Sequence, residues 1–209
     1  MYSLILKDIL MLKKMLLLIV GFIALFYFLE NPPVMAISLA GIIFISSTGS
    51  FEDRSNSHIM LNSLPINRKS IISSKYVGAI LFGIFATVLA TLFQMIFYFI
   101  LDTYNKPLPN ANQLVLGMLI ILLFSALYFP ILYKFGEKYT RIILMIVIFG
   151  FIIFGQMAMY ALKGNVEVFQ LFLNQFTFTQ LTITGFAITI IVFIFSWLAT
   201  IKIYEAKDF

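Results

Sequence analysis

The sequence has little charge and no cysteine. Only 11% of its 209 residues are charged, whereas 62% are hydrophobic, and the mean hydropathy is +1.03. A soluble domain carries about 25% charged residues. This chain has too few of them to cover a water-exposed surface, so we predict that lipid surrounds it. Without cysteine, disulfides, thiol catalysis and thiolate metal sites are excluded.

Motifs for enzymatic chemistry are also missing. The spacing nearest to a P-loop, Gly150 to Gly155, is followed by Gln156 and Met157 where a lysine and a hydroxyl residue are required. We expect these glycines to mark close helix packing instead. The single histidine, His58, cannot form an H-E-x-x-H zinc site, and no base accompanies a nucleophile within the apolar segments. We therefore expect a chain that is not an enzyme and holds no metal or cofactor of its own.

Long apolar segments alternate with short polar ones. At about 20 residues per crossing, they predict an all-α polytopic membrane protein, a single domain over residues 1–209. The six predicted transmembrane helices are 15–29, 34–50, 76–101, 113–133, 141–162 and 180–201. Residues 1–14 place apolar side chains at helical spacing, which predicts an N-terminal amphipathic helix in the membrane interface.

The basic residues predict the orientation in the plasma membrane. If the N-terminus is cytoplasmic, only Lys106 and Lys163 lie outside. The cytoplasmic segments then hold Lys7, Lys13, Lys14, Arg54, Arg68, Lys69, Lys75, Lys134, Lys138, Arg141, Lys202 and Lys207. This bias obeys the positive-inside rule and predicts that both termini are cytoplasmic. The net charge of +5 is explained by orientation, so we expect no nucleic-acid partner.

The predicted crossings contain uncharged polar side chains but no charge near their middle, which argues against a proton or ion pathway. Candidates for a translocation path are Gln94, Tyr98, Ser125, Tyr128 and Gln156. The alternative is structural, because amides such as Gln94 and Gln156 also form hydrogen bonds between membrane helices.

The longest polar stretch, residues 51–75, connects the second and third predicted crossings. Glu52 and Asp53 precede residues suited to helix capping, and Pro65 separates two short stretches with helical character. Two short helices around a proline turn at the membrane surface suit docking with a soluble partner. An ordinary solvated loop is the alternative.

The motif Leu61-Asn62-Ser63-Leu64-Pro65-Ile66-x-Arg68-Lys69, with Lys75-Tyr76 opening the next crossing, resembles the permease subunits of type-2 ABC exporters. It is similar in particular to the small six-crossing permeases of Gram-positive bacteria, and the resemblance extends over nearly the whole chain. It implies that residues 51–75 form a coupling loop in a groove of a separate ATPase, and that residues 1–14 form an interfacial elbow helix. The implied coupling residues are Glu52, Asp53, Arg54, Leu61, Asn62, Ser63, Leu64, Pro65, Arg68, Lys69 and Lys75.

The resemblance also implies partners and cargo. Two copies of a cytoplasmic ABC ATPase would carry ATP and Mg²⁺, and a second permease, identical or paralogous, would complete the pathway. Within the family the chain most resembles permeases that export amphipathic peptides, such as the phenol-soluble modulin exporter, and antimicrobial-peptide immunity pumps share the same plan. The alternative is a membrane anchor that recruits a cytoplasmic partner without transport.

Overall fold

The chain folds into α-helices. The computed structural model describes residues 2–29, 31–54, 67–100, 108–161 and 177–206, and all regular structure within these ranges is helical. The described helices are α1 (Tyr2–Phe28), α2 (Pro33–Arg54), α3 (Arg68–Ile100), α4 (Ala111–Phe135), α5 (Glu137–Ala161) and α6 (Phe178–Glu205). The predicted all-α fold is confirmed.

Four stretches of the described helices are long and apolar enough to cross a membrane. They are Pro33–Glu52, Arg68–Phe99, Ala111–Phe135 and Phe178–Glu205, and α1 contains a shorter apolar stretch, Met15–Phe28. These helices are those of a polytopic membrane protein, as predicted. The predicted interfacial segment 1–14 is continuous with the predicted first crossing, because α1 runs without interruption from Tyr2 to Phe28.

Helix ends follow local sequence signals. At the start of α6, the Thr177 hydroxyl accepts from the Gln180 amide at 3.3 Å, while the Gln180 side chain accepts from the Thr177 amide at 2.9 Å. This reciprocal pair satisfies two backbone donors that lack helical partners. Gly136 separates α4 from α5 with a φ of 80°, a conformation that glycine adopts without steric penalty.

Helix α4 lies at the centre of the described helices and packs against α2, α3, α5 and α6. Two glycines allow its close approach to α2. A Cβ added at Gly41 of α2 would lie 2.4 Å from Ile121 of α4, and one added at Gly117 of α4 would lie 2.7 Å from Ile37 of α2. Small residues at such crossings bring membrane helices into van der Waals contact along their length.

The expectation of close helix packing at Gly150 is not met within the described part of the structure. There, a Cβ added at Gly150 would meet no atom within 4 Å, and the residue is exposed on α5. Among the described helices, α5 packs against α4 and α2. The surroundings of Gly155 lie outside the described part of the structure.

Candidate functional site at the charged junction

Glu52, near the end of α2, binds side chains from three other helices. Its carboxylate lies 3.1 Å from the Lys75 ammonium of α3 and 3.3 Å from the Lys7 ammonium of α1. The Tyr133 hydroxyl of α4 donates to it at 3.4 Å. We call these four side chains the charged junction. It joins the end of α2 to the start of α3, on either side of residues 55–66.

Burial makes the charged junction a strong constraint on the positions of α2 and α3 relative to each other. Glu52 is 7% exposed and Lys75 is 5% exposed. Charges at such depth lose hydration, and they are tolerated only when paired and hydrogen-bonded. Moving α2 away from α3 would therefore break a buried ion pair, that of Glu52 and Lys75. Two lysines surround one carboxylate, so the junction carries a net positive charge.

A second set of contacts connects the start of α3 with α6 and α4. The Tyr76 hydroxyl lies 2.8 Å from the hydroxyls of both Ser196 and Thr200. Ser196 in turn donates to the backbone carbonyl of Ala126 in α4 at 2.5 Å. This carbonyl lacks its helical partner, because the residue four positions on is Pro130, which has no N–H. Ser196 therefore supplies the donor that proline cannot.

The first turns of α3 are also bound to α6 by longer side chains. The Trp197 indole N–H donates to the Ser73 hydroxyl at 3.1 Å. The Arg68 guanidinium donates to the backbone carbonyl of Glu205, at the end of α6, at 3.0 Å. The last carbonyls of a helix have no internal donors and carry partial negative charge, so a cation is favoured there. Displacing α3 would thus displace α6.

A family model for ABC-2 family transporter proteins matches residues 3–205. The chain belongs to the ABC-2 transporter family. No curated protein and no solved structure matches it. As an ABC-2 permease it works with an ATPase partner and in a dimeric arrangement, which is the general organisation of this family. The prediction of an ABC-2 type permease is confirmed.

The permease brings some of the predicted coupling residues together. Glu52 and Lys75 share the charged junction, and Arg68 binds the end of α6. Lys69 is exposed at the start of α3. The side chains of Asp53 and Arg54 lie outside the described part of the structure. The same is true of residues Leu61, Asn62, Ser63, Leu64 and Pro65.

The five candidate path residues are dispersed through the permease. Gln94 is buried and accepts from the Tyr27 hydroxyl at 3.5 Å. Ser125 donates within α4 to the Leu122 carbonyl at 2.8 Å, and Tyr128 donates to the Ser46 carbonyl at 3.3 Å. The remaining two are exposed, Tyr98 on α3 and Gln156 on α5. For Gln94 this geometry matches the structural alternative, a hydrogen bond between helices.

Sequence reasoning missed several partners in the permease. Lys7 and Tyr133 both contact Glu52, and Ser196 and Trp197 both bind other helices. No local sequence pattern indicates these contacts. A proline four residues after a buried carbonyl was an available signal for an external donor, but the sequence alone does not identify which helix provides it.

Proposed function

We propose that this permease is part of an ATP-driven exporter and that the ATPase docks on the predicted coupling loop, residues 51–75. The observation that carries the proposal is the charged junction, which ties together the two helices that flank this segment. A docking loop transmits force only if its two ends are firmly held. The buried Glu52–Lys75 pair meets that requirement.

The path of the motion follows from the contacts. ATP and Mg²⁺ bind to the partner ATPase, and closure of the two ATPase copies pushes on residues 55–66. The push reaches the start of α3, and from there α6 through Arg68 and Tyr76 and α4 through Ser196. Rearrangement of the two permeases, identical or paralogous, then releases cargo on the outer side. In this arrangement both termini face the cytoplasm.

The proposed cargo is an amphipathic or hydrophobic peptide, such as a modulin or an antimicrobial peptide. A groove of about 260 Å³ between α3, α4 and α6 supports an apolar cargo. Its lining is almost wholly apolar and consists of Ile84, Thr87, Val88, Leu114, Val115, Met118 and Phe186. Apolar side chains that enter such a groove from the membrane avoid water throughout their transfer.

The test compares two basic residues in the complete complex. The permease and its ATPase are reconstituted together in vesicles, and peptide-stimulated ATP hydrolysis and peptide export are measured. Arg68→Gln removes the contact with the end of α6 and should reduce both activities at least about fivefold, a loss of about 1 kcal/mol in coupling. Lys202→Gln removes a positive charge from an exposed position of α6 that is not among the coupling residues, so both activities should stay near those of the unsubstituted permease.

Two results would count against the proposal. Equal activity of Arg68→Gln and the unsubstituted complex would show that the Arg68 contact does not transmit the movement of the ATPase to α6. A complex that binds the ATPase but never moves peptide would favour the alternative, a membrane anchor that recruits a cytoplasmic partner.

A further inference from the structure

A second polar site lies beside the charged junction but shares none of its residues. A cavity of about 270 Å³ opens between α1, α2 and α5. It is lined by Met15, Ser46, Ser47, Ser50, Phe51 and Arg141. The three serines occupy neighbouring positions on one side of α2, because residues three and four apart lie on the same helix face. The result is a hydroxyl-rich wall with an arginine opposite.

Ser47 has an unsatisfied hydroxyl in this wall. It is 8% exposed, yet it forms no hydrogen bond within the part of the chain that the structure describes. Its neighbour Ser46 differs, because that hydroxyl donates to the Ile42 carbonyl at 2.7 Å. Buried polar groups in proteins nearly always have a partner. The Ser47 hydroxyl therefore points to a ligand group that completes its hydrogen bonding inside the cavity.

Arg141 provides the charge of the site. Its guanidinium pairs with Glu137, which also accepts from the Ser50 hydroxyl, and it donates to the Ser50 hydroxyl at 3.5 Å. A guanidinium has five N–H donors, so these two contacts leave donors for a second anion. The Arg141 side chain is 59% exposed, so those donors can be reached from outside the helix bundle.

The surroundings of the cavity favour a negative ligand. The exposed Lys138 lies on α5 three residues before Arg141. Among the described side chains of this region, Glu137 pairs with Arg141, and Glu52, next to the lining residue Phe51, pairs with Lys7 and Lys75. These four cations outnumber the two carboxylates, which favours an anion.

The cavity also lies at the boundary of the apolar helices. Met15 is the first residue of the apolar stretch of α1, while Ser50 and Phe51 are close to the end of the apolar stretch of α2. This is the depth at which lipid headgroups meet the hydrocarbon, and the two apolar lining residues suit the adjoining part of a lipid.

We propose that this cavity binds the phosphate group of an anionic lipid. The phosphate accepts hydrogen bonds from Arg141 and Ser47, and the lipid chains extend along the outer surface of α1 and α5. Arginine is well suited to this role because its planar N–H groups match the oxygens of a phosphate. This site is independent of the proposed export function.

The test measures lipid binding to the purified full-length chain by native mass spectrometry. Both phosphatidylglycerol and phosphatidylcholine carry the phosphate, but the choline cation of the latter is repelled by Arg141. Phosphatidylglycerol should therefore bind to its first site about tenfold more tightly than phosphatidylcholine. Arg141→Gln should weaken phosphatidylglycerol binding by about tenfold, and Ser47→Ala by about threefold. Ser47→Ala removes a hydroxyl without a partner in the described structure, so the fold is expected to remain intact.

Lys202→Gln is the matched control. It removes a positive charge from an exposed position on α6, which does not line the cavity, so binding should change by less than about twofold. An excess of inorganic phosphate distinguishes the two sources of the ligand group. Displacement of the lipid shows that phosphate alone is recognised, whereas persistence of the lipid assigns the site to a headgroup. Equal losses in Arg141→Gln and Lys202→Gln, or equal binding of the two lipids, would overturn the proposal.

Discussion

At the scale of single residues, the most constrained side chain of the charged junction is Glu52. It is nearly buried, and its partners come from α1, α3 and α4. A carboxylate in this position is stabilised only while its lysines remain in place, and buried Lys75 depends on Glu52 in the same way. Each of the two charges is therefore stable in its buried position only while the other is present.

The first prediction concerns this mutual dependence. Glu52→Gln should lower the free energy of unfolding by about 3 kcal/mol, because it removes the carboxylate that pairs with the buried Lys75 charge. The double variant Glu52→Gln/Lys75→Met should recover most of the loss. Unfolding of the purified chain in mixed detergents measures both. The exposed control Lys69→Met should change stability by less than about 0.5 kcal/mol, and a double variant as unstable as the single one would refute the pairing.

The second prediction concerns the Ala126 carbonyl, which Pro130 leaves without a helical donor. Ser196→Ala should lower the free energy of unfolding by about 1–2 kcal/mol, since this buried carbonyl loses its donor. In a chain that already carries Pro130→Ala, the restored backbone N–H binds this carbonyl, so the same serine substitution should cost much less. A double-mutant cycle on unfolding free energies provides the comparison. Equal costs in the two backgrounds would show that Ser196 does not act as the replacement donor.

At the scale of helices, the contact between α2 and α4 depends on glycine. Gly41 and Gly117 each face an isoleucine of the opposite helix, and a methyl group at either position would overlap with it. The close contact places Tyr128 of α4 against the Ser46 carbonyl of α2. The distance between α2 and α4 is therefore set partly by glycines.

The third prediction tests this contact. Gly41→Ala should destabilise the fold by about 1–3 kcal/mol, because the new methyl group displaces the Ile121 side chain. Adding Ile121→Ala should restore part of the loss. Gly21→Ala is the matched control: no atom lies within 4 Å of the added Cβ, so it should be neutral or stabilising by about 1 kcal/mol. Similar destabilisation by Gly41→Ala and Gly21→Ala would contradict the close contact.

The helices could be predicted from the sequence, whereas the contacts between side chains of different helices could not. Apolar runs, proline and glycine mark where helices begin and end, so all six predicted crossings overlap described helices. By contrast, Lys7 and Glu52 are 45 residues apart in the sequence, and no local pattern reports a contact over that distance. Gly150 illustrates the same limit, because its spacing with Gly155 suggested packing that the described chain does not make. Contacts depend on how the helices are arranged.

At the scale of the whole molecule, the permease lacks a motif for hydrolysing ATP and belongs to a family that works with an ATPase. The contacts at the base of residues 55–66 connect α2 and α3 with α1, α4 and α6. A movement applied at this base would thus reach most of the described helices. This is the arrangement that an externally driven transporter requires.

The central claim is that residues 55–66 face the compartment that contains the ATPase, and site-directed labelling tests it most directly. The chain has no cysteine, so single cysteines can be introduced without background. Ser57→Cys lies within this segment, and Asn105→Cys lies in the polar stretch predicted on the opposite side. With a membrane-impermeant maleimide, we predict that intact cells label position 105 only and that permeabilised cells label both. Labelling of position 57 in intact cells would contradict the account.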